Sequence, residues 1–399
     1  MQYGFIRCAA ASPALRVADC EYNAAQIIDA MRSANKAHVQ LLCLPELCLT
    51  GYTCGDLFLQ DRLLCGAEKA LADILQASHG MNMVTLVGLP VRHHAKLYNC
   101  AAVVCDGVLL GLVPKTYLPN YGEFYEKRHF VPGMEAPEPI ALAGQETWIG
   151  TRLLFACQEM PSFVLGAEVC EDLWAPVPPS CAHALAGATV IANLSASDET
   201  IGKAEYRRDL VCGQSGRLLC GYLYADAGHG ESTTDMTFAG HDLIAENGAL
   251  LAQTTPFAGG TAMTELDLAR IVQERQRNTS FVPRTEGYAT VEFSLTPEVL
   301  ELTRPVPTAP FVPQDAAARA ERCELILRIQ AEGLAKRIEH THARCAVVGI
   351  SGGLDSCLAL LVAVRACGLV GLSPKTIAAL TMPCFGTTHR TRSNAEILC

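Results

Sequence analysis

The chain has 399 residues, half of them hydrophobic and 18% charged, with a formal net charge of −10 at pH 7. That length and composition allow two domains, or one large domain and part of another, and exclude a disordered chain. The acidic balance argues against a nucleic-acid-binding surface, no apolar stretch approaches the ~20 residues that span a bilayer, and the start Met1-Gln-Tyr-Gly-Phe-Ile-Arg7 lacks a signal peptide's features. The nineteen cysteines include no Cys-x-x-Cys pair, and most lie in apolar runs such as Leu41-Leu-Cys-Leu44. They are expected to be free, buried thiols in a reducing, cytoplasmic protein.

Taken in chain order, Ala24, Ile27, Ile28 and Met31 have the spacing of an amphipathic helix after a first strand. Strands are predicted at 39–44, 83–89, 99–105, 108–113, 162–169, 188–194 and 217–225. Asp106-Gly107 and Asn247-Gly248 read as hairpin turns between apolar runs. Interleaved strands, helices and hairpins over 1–265 indicate an α/β or α+β domain with a mixed sheet. Residues 266–315 turn polar and then proline-rich (Pro305, Pro307, Pro310, Pro313), which predicts a linker laid over the surface. A helix over 316–341 leads into a second α/β region, 316–399.

That second region opens with an apolar strand, Cys345-Ala-Val-Val-Gly-Ile350. Ser351-Gly-Gly-Leu-Asp-Ser356 follows, and then a helix-like run from Cys357 to Cys367. Adjacent glycines let backbone amides turn toward an anion, and the helix adds its positive N-terminus. A phosphate-binding role is therefore expected for Gly349, Ile350, Ser351, Gly352, Gly353, Leu354, Asp355 and Ser356. No lysine follows the glycines, so the loop is not a Walker A motif.

The first domain carries its own chemistry. Glu46, Lys115 and Cys170 each stand at the C-terminal end of a predicted strand, where side chains can converge on one cleft. A thiol needs a base, and a carbonyl under attack needs a cation for its developing oxyanion. Glutamate, lysine and cysteine supply these parts, although a strand-end cysteine taken alone is more often packing than nucleophile and a lone lysine after proline is usually just solvated.

The local sequences add a resemblance. Leu44-Pro-Glu-Leu47 with Thr50-Gly-Tyr52, Pro114-Lys-Thr-Tyr-Leu-Pro119 with Glu123-Phe-Tyr-Glu-Lys-Arg128, and Cys170-Glu-Asp-Leu-Trp174 resemble the nitrilase, or carbon–nitrogen hydrolase, superfamily. The resemblance implies a four-layer αββα sandwich in which Glu46 is the general base, Lys115 stabilises the tetrahedral intermediate and Cys170 forms a thioester. Glu123 matches a second glutamate that orients the lysine, and is otherwise a surface carboxylate. The Ser-Gly-Gly-Leu-Asp-Ser loop resembles that of the ATP pyrophosphatases, whose domain is Rossmann-like.

Both halves in one chain resemble the glutamine-dependent NAD+ synthetases. Asn193-Leu-Ser-Ala-Ser197, Ile201-Gly-Lys-Ala-Glu205 with Arg207-Arg208, Gly228-His-Gly-Glu-Ser-Thr-Thr-Asp235 and Thr381-Met-Pro-Cys-Phe-Gly-Thr-Thr388 agree with that family. The resemblance implies that ammonia from glutamine is channelled to the ATP- and Mg2+-dependent amidation of deamido-NAD+. It implies glutamine contacts at Tyr121, Glu171, Ser197 and Lys203, no protein-held metal, and a homo-oligomer packed through the first domain. Lys203 stands where the family often has arginine, which would lose a bidentate fork, and Cys384 replaces the usual glycine.

In this family the synthetase domain extends far beyond the loop. Residues 316–399 are therefore expected to be its N-terminal part, and this chain is expected to hydrolyse glutamine without making NAD+. Two other readings remain. A stand-alone amidase or glutaminase of the nitrilase superfamily would leave the Ser351–Ser356 loop unexplained. A non-catalytic nucleotide-binding or assembly protein would leave Glu46, Lys115 and Cys170 unexplained.

Overall fold

The computed structural model describes residues 4–382 and 388–399, and Cys384 lies outside them. It divides into two compact units, Met1–Pro305 and Val306–Cys399. The first unit begins with β1 (Phe5–Ala11), α1 (Cys20–Lys36), β2 (Leu41–Cys43), α2 (Asp61–Ser78), β3 (Val84–His93), β4 (Lys96–Cys105) and β5 (Val108–Pro114). It continues with β6 (Glu138–Leu142), β7 (Gln145–Ile149), β8 (Leu153–Cys157), β9 (Val164–Val169), α3 (Glu171–Trp174), α4 (Pro179–Ala186) and β10 (Val190–Ser195). Then come α5 (Lys203–Leu218), β11 (Gly221–Asp226), β12 (Leu243–Glu246), β13 (Ala249–Gln253), β14 (Thr261–Asp267), α6 (Leu268–Arg277) and β15 (Ala289–Phe293).

These strands form two mixed sheets, ordered β14-β1-β2-β3-β4-β5-β7-β6 and β13-β12-β11-β10-β9-β8-β15. Side chains alternate across a strand, and here both faces are apolar. From β1 and β2, Ile6, Cys8, Ala10, Leu41 and Cys43 point between the sheets. They pack there with Phe155, Leu165, Ala167, Val190, Ala192 and Leu223 of the second sheet. The opposite faces of β1 and β2, Ala9 and Leu42, pack under α1 and α2 with Ile27, Met31, Leu71 and Ile74. Ile191, Tyr222 and Tyr224 on the outer face of the second sheet pack with Ala184 of α4 and Val211 and Leu218 of α5. Two helix layers thus cover two stacked sheets, the four-layer αββα arrangement. The described cysteines are free, and Cys8, Cys43, Cys105, Cys157 and Cys170 help fill the inter-sheet core.

Several elements differ from the sequence reading. The run 217–225 is not one strand, because α5 continues to Leu218 and a left-handed cap at Leu219 (φ 47°) turns the chain into β11. Residues 266–315 are not a bare linker. Within them α6 packs Leu268 and Ile271 into the inter-sheet core, and β15 pairs in parallel with β8. Arg304, just before the boundary, donates to Glu246 at 2.9 Å. Burial outweighs the polar composition of this stretch, so the unit runs to Pro305. Both expected hairpin turns form, with positive φ at Asp106 and Gly107 and at Asn247 and Gly248.

In the second unit α7 (Ala316–Thr341) precedes β16 (Ala346–Gly349), α8 (Leu354–Leu369), β17 (Ile377–Leu380) and α9 (His389–Leu398). β16 and β17 pair in parallel. Ala331, Ala335 and Ile338 of α7 pack on Ala366 and Cys367 of α8. Among the described residues no helix is long and apolar enough to cross a membrane.

One contact in this fold sets the position of a candidate catalytic residue. A Cβ added to Gly88 of β3 would stand 2.2 Å from the Leu47 amide nitrogen and 2.5 Å from the Pro45 carbonyl oxygen. Only glycine lets the segment carrying Glu46 lie against β3. Gly88→Ala is therefore expected to cost about 1–3 kcal/mol of stability, the scale of overpacking a rigid core. Urea unfolding of the variant checks this.

Candidate active site

The ends of parallel strands in the two sheets bring the first site together. β1, β2 and β3 run parallel in one sheet, and β9, β10 and β11 run parallel in the other. Glu46 leaves the end of β2, Cys170 the end of β9 and Ser197 the end of β10. The Glu46 amide donates to Ser195 O at 3.2 Å, and the Ala196 amide donates to Glu46 Oε2 at 3.0 Å. These two bonds tie the glutamate of one sheet to the strand end of the other.

Lys115 follows β5 and is wholly enclosed, with 0% side-chain exposure. Its Nζ donates to Glu46 Oε1 at 2.7 Å and to Glu126 Oε1 at 2.6 Å. Burial alone would strip its charge. Glu126 and Glu46 more than offset that effect and hold its pKa well above the usual lysine value. Asn99 Nδ2 also donates to Glu46 Oε1, and Tyr52 Oη donates to Glu126 Oε1 at 2.9 Å. Burial raises the Glu126 carboxyl to about 7, against the pull of Lys115, with the nearby Glu46 charge adding to the rise.

The glutamate on Lys115 is therefore Glu126, not Glu123. The segment folds back on itself: the Phe124 amide donates to Tyr121 O and the Glu126 amide to Pro119 O, with a left-handed turn at Gly122 (φ 57°). That turn leaves Glu123 half-buried at its tip and aims Glu126 inward. Glu123 and Glu126 both line a cavity of about 170 Å³ shared with Tyr52, Phe58, Phe130 and Met236. Glu231 braces the Tyr52 and Thr53 backbone, accepting from their amides at 2.6 and 3.0 Å.

Cys170 occupies a sharp turn between β9 and α3, with φ 43° and ψ −96°. A non-glycine residue in that region is strained, and such strain persists only where neighbours fix it. Its amide donates to Leu194 O at 2.9 Å and to Asn193 Oδ1 at 3.1 Å. Asn193 is held in turn, donating to Tyr222 Oη at 3.1 Å and accepting from Ser195 Oγ at 2.7 Å. Tyr222 Oη donates to the buried Glu168. Asp172, two residues after the cysteine, accepts from the Tyr117 amide at 2.8 Å and the Val169 amide at 2.9 Å. It thereby pins the lysine loop to the cysteine turn. Burial pushes the Cys170 thiol well above the usual cysteine pKa. Glu46 raises it further, while Lys115 and the Ala196 amide oppose.

Of the residues expected to contact glutamine, Tyr121 and Glu171 meet directly, Tyr121 Oη donating to Glu171 Oε1 at 2.9 Å. Lys203 pairs with Asp198 and sits 5.4 Å from the Trp174 ring and 5.9 Å from the Phe124 ring. Ser197 is buried. Its amide donates to Asp226 Oδ1 at 2.8 Å, and the fully buried Arg207 ion-pairs with Asp226 Oδ2 at 3.7 Å. Tyr121, Glu171 and Lys203 thus form a charged, aromatic rim, whereas the Ser197 hydroxyl takes a weak 3.4 Å bond from Arg207.

Sequence reasoning had given no role to Glu126, Tyr52, Asn99, Asn193 or Asp172. Tyr52, Asp172 and Asn193 lie inside the quoted motifs, and Asn99 lies outside them. For Glu126 the only available signal was a second glutamate in Glu123-Phe-Tyr-Glu126.

The second candidate site has the expected strand–loop–helix form. β16 ends at Gly349, and Ile350 is buried and donates its amide to Leu380 O at 2.7 Å. The turn passes through Gly352 (φ 81°), and α8 starts after Gly353. The Gly353 amide donates to Ser351 Oγ and the Ser351 amide to Ser356 Oγ, each at 3.3 Å. Leu354 and Asp355 stand exposed at the first turn of α8.

Comparison with known proteins places this geometry in a family. Residues 6–276 match the carbon-nitrogen hydrolase family, and residues 326–399 match NAD synthase. The chain is 42% identical over 405 residues to the glutamine-dependent NAD(+) synthetase of Mycobacterium tuberculosis, covering 99% of this chain and 60% of the relative. It is 29% identical to that of Thermotoga maritima, covering 95% and 61%. The chain therefore spans about 60% of the length of the curated relatives it matches. A solved glutamine-dependent NAD(+) synthetase from Cytophaga hutchinsonii superposes with a TM-score of 0.59 at 23% identity, over 98% of this chain and 62% of that one. An amidase of the nitrilase superfamily from Nesterenkonia superposes at 0.53 and 21% identity, over 69% and 96%. With a family match over most of its length and the αββα sandwich that carries it, the chain belongs to the carbon-nitrogen hydrolase family.

Proposed function

We propose that the first unit hydrolyses the side-chain amide of glutamine, and that the ammonia serves an ATP-dependent amidation of deamido-NAD+ to which the second unit contributes. The observation that carries the reading is the enclosed ion set Glu46–Lys115–Glu126 acting on the Cys170 thiol. The strand–glycine loop–helix in the same chain and the likeness to named glutamine-dependent NAD(+) synthetases support the second half.

The geometry supports the following course. At rest Cys170 is a neutral thiol, because burial and Glu46 oppose its ionisation. Its proton must leave as sulfur attacks the amide carbon, and Glu46 takes it. The carbonyl oxygen gains charge as the S–C bond forms, and the Lys115 ammonium stabilises that charge. The tetrahedral intermediate collapses by breaking the C–N bond, and the proton on Glu46 goes to the departing ammonia. A water then attacks the thioester with Glu46 again as base, releasing glutamate and the Cys170 thiol. Glu126 keeps Lys115 charged and aimed throughout. At the rim, the Tyr121–Glu171 pair faces the substrate's ammonium group and Lys203 its carboxylate.

In the second unit the residues at the loop fit a phosphate group: small residues let the Gly352–Gly353 backbone approach it, and α8 adds its N-terminus. Gly349–Ser356 would hold the phosphates of ATP, with Mg2+ arriving on the nucleotide rather than on a protein site. Several copies of the chain would assemble through the first unit.

Two expected outcomes test this. An electrophilic glutamine analogue should label Cys170 alone, and Cys170→Ser should abolish glutamate formation; peptide mapping that finds the label on Cys157 or Cys212 would contradict the assignment. If ammonia forms from small aliphatic amides but not from glutamine, the site is that of a general amidase instead.

The second outcome concerns pH. A carboxyl whose folded pKa is raised holds its proton more tightly folded than unfolded. Stability is therefore lost as pH rises from the unfolded value of 4.5 toward about 7. Glu126→Gln should remove this loss, so the stability difference between variant and wild type should grow in the variant's favour across that window. Thermal melts at pH 5 and pH 8 check the sign, and a difference that shrinks as pH rises would contradict it.

A further inference from the structure

Away from the cysteine site, the β3–β4 hairpin ends in two adjacent histidines. Neighbouring residues of a strand normally point to opposite faces. Here the turn passes through two left-handed residues, His94 (φ 45°) and Ala95 (φ 57°). The turn swings both rings to one side, their centroids 3.9 Å apart. Both Nε2 atoms face a single oxygen, Glu138 Oε2, at 3.3 Å for His93 and 3.2 Å for His94. Glu138 is the first residue of β6. The His93 side chain is 9% exposed and that of His94 73%, so one ring is anchored and the other remains open to solvent. Among the described residues, this trio is the group whose donor atoms lie close enough together, within 4.8 Å, to hold a metal ion.

We propose that His93, His94 and Glu138 form a site for a divalent transition ion of the zinc, cobalt or nickel class. The spacing fits. Ligands standing about 2.1 Å from a tetrahedral ion lie roughly 3.4 Å from one another, close to the two separations in the protein. An ion would sit between the two Nε2 atoms and the carboxylate oxygen that they face, and solvent reaches the exposed His94 side to complete the coordination. Two imidazoles and one carboxylate favour zinc, cobalt, nickel or copper over magnesium or calcium, which prefer oxygen ligands. The site is distinct from any Mg2+ carried by ATP. A bound ion would staple the β3–β4 hairpin to the start of β6. It would thereby fix one end of the segment 115–137 that carries Lys115, Tyr121 and Glu126.

The test is calorimetric titration of the full chain, stripped with chelator, using ZnCl2 and separately CoCl2. One equivalent should bind, with an affinity at least about tenfold weaker in His94→Ala and in Glu138→Gln, as expected when one of three ligands is lost. The cobalt complex should lack a thiolate charge-transfer band. Melting temperature should rise with added zinc in the wild type and much less in either variant. No uptake of one equivalent, or an affinity unchanged in both variants, would overturn the site and leave a hydrogen-bonded trio only. A thiolate band would overturn it too, by assigning the ion to the cysteines. Circular dichroism of the two surface variants separates lost binding from lost fold.

Discussion

The first unit is organised around a lysine that has no contact with water. A bare ammonium in such a place would cost several kcal/mol. Lys115 is stable there only because Glu46 and Glu126 lie at 2.7 and 2.6 Å. Two carboxylates around one ammonium leave a net negative site, and burial, with Glu46 adding to the rise against the pull of Lys115, takes Glu126 to about 7. Removing the lysine would leave two carboxylates buried without a counter-charge, on the order of 3–5 kcal/mol where such pairs are broken. The requirement is also geometric. Glu46 comes from one sheet and is bonded to the backbone at Ser195 and Ala196 of the other. The close contact at Gly88 and the Asp172 bonds to the lysine loop therefore serve one end: keeping three charges in register across the sandwich.

The same enclosure governs the cysteine. A thiol held neutral by burial is a poor nucleophile on its own, so its reactivity depends on a base that acts during attack. The strained turn at Cys170 holds the thiol within electrostatic reach of Glu46 and Lys115, and the Asn193–Tyr222–Glu168 chain is one means by which the strain is kept. Each link is a buried polar group satisfied by another. Cutting the chain at Tyr222 would expose a partner to full desolvation rather than simply remove one bond.

Much of this arrangement was legible in the sequence. Strand-end positions announced Glu46, Lys115 and Cys170, because a polar residue directly after an apolar run has nowhere to point but the sheet edge. Ser351–Ser356 between two apolar runs announced its loop. Glu126 was not legible as the lysine's partner. Two glutamates three residues apart in an irregular segment offer the same chemistry, and only the backbone turn at Tyr121–Phe124 decides which faces inward. The extent of the first unit was missed for a related reason. The stretch carrying α6 and β15 is polar by composition, yet Leu268, Ile271 and Phe293 suffice to bury it against the sheets. Likewise no alternation separates the end of α5 from β11, since Leu218 and Leu219 suit either element. Turn direction and tertiary burial are long-range properties that a local pattern does not encode.

The most direct test of the central claim is steady-state glutamine hydrolysis by Glu126→Gln and Glu123→Gln, measured side by side as ammonia release. If Glu126 maintains the charge and aim of Lys115, its replacement should lower kcat by at least about tenfold, the 1.4 kcal/mol scale of a weakened charge-assisted hydrogen bond. Replacement of Glu123, at the tip of the turn, should change kcat far less. The opposite order, with Glu123→Gln inactive and Glu126→Gln close to wild type, would contradict the account of how this site is held.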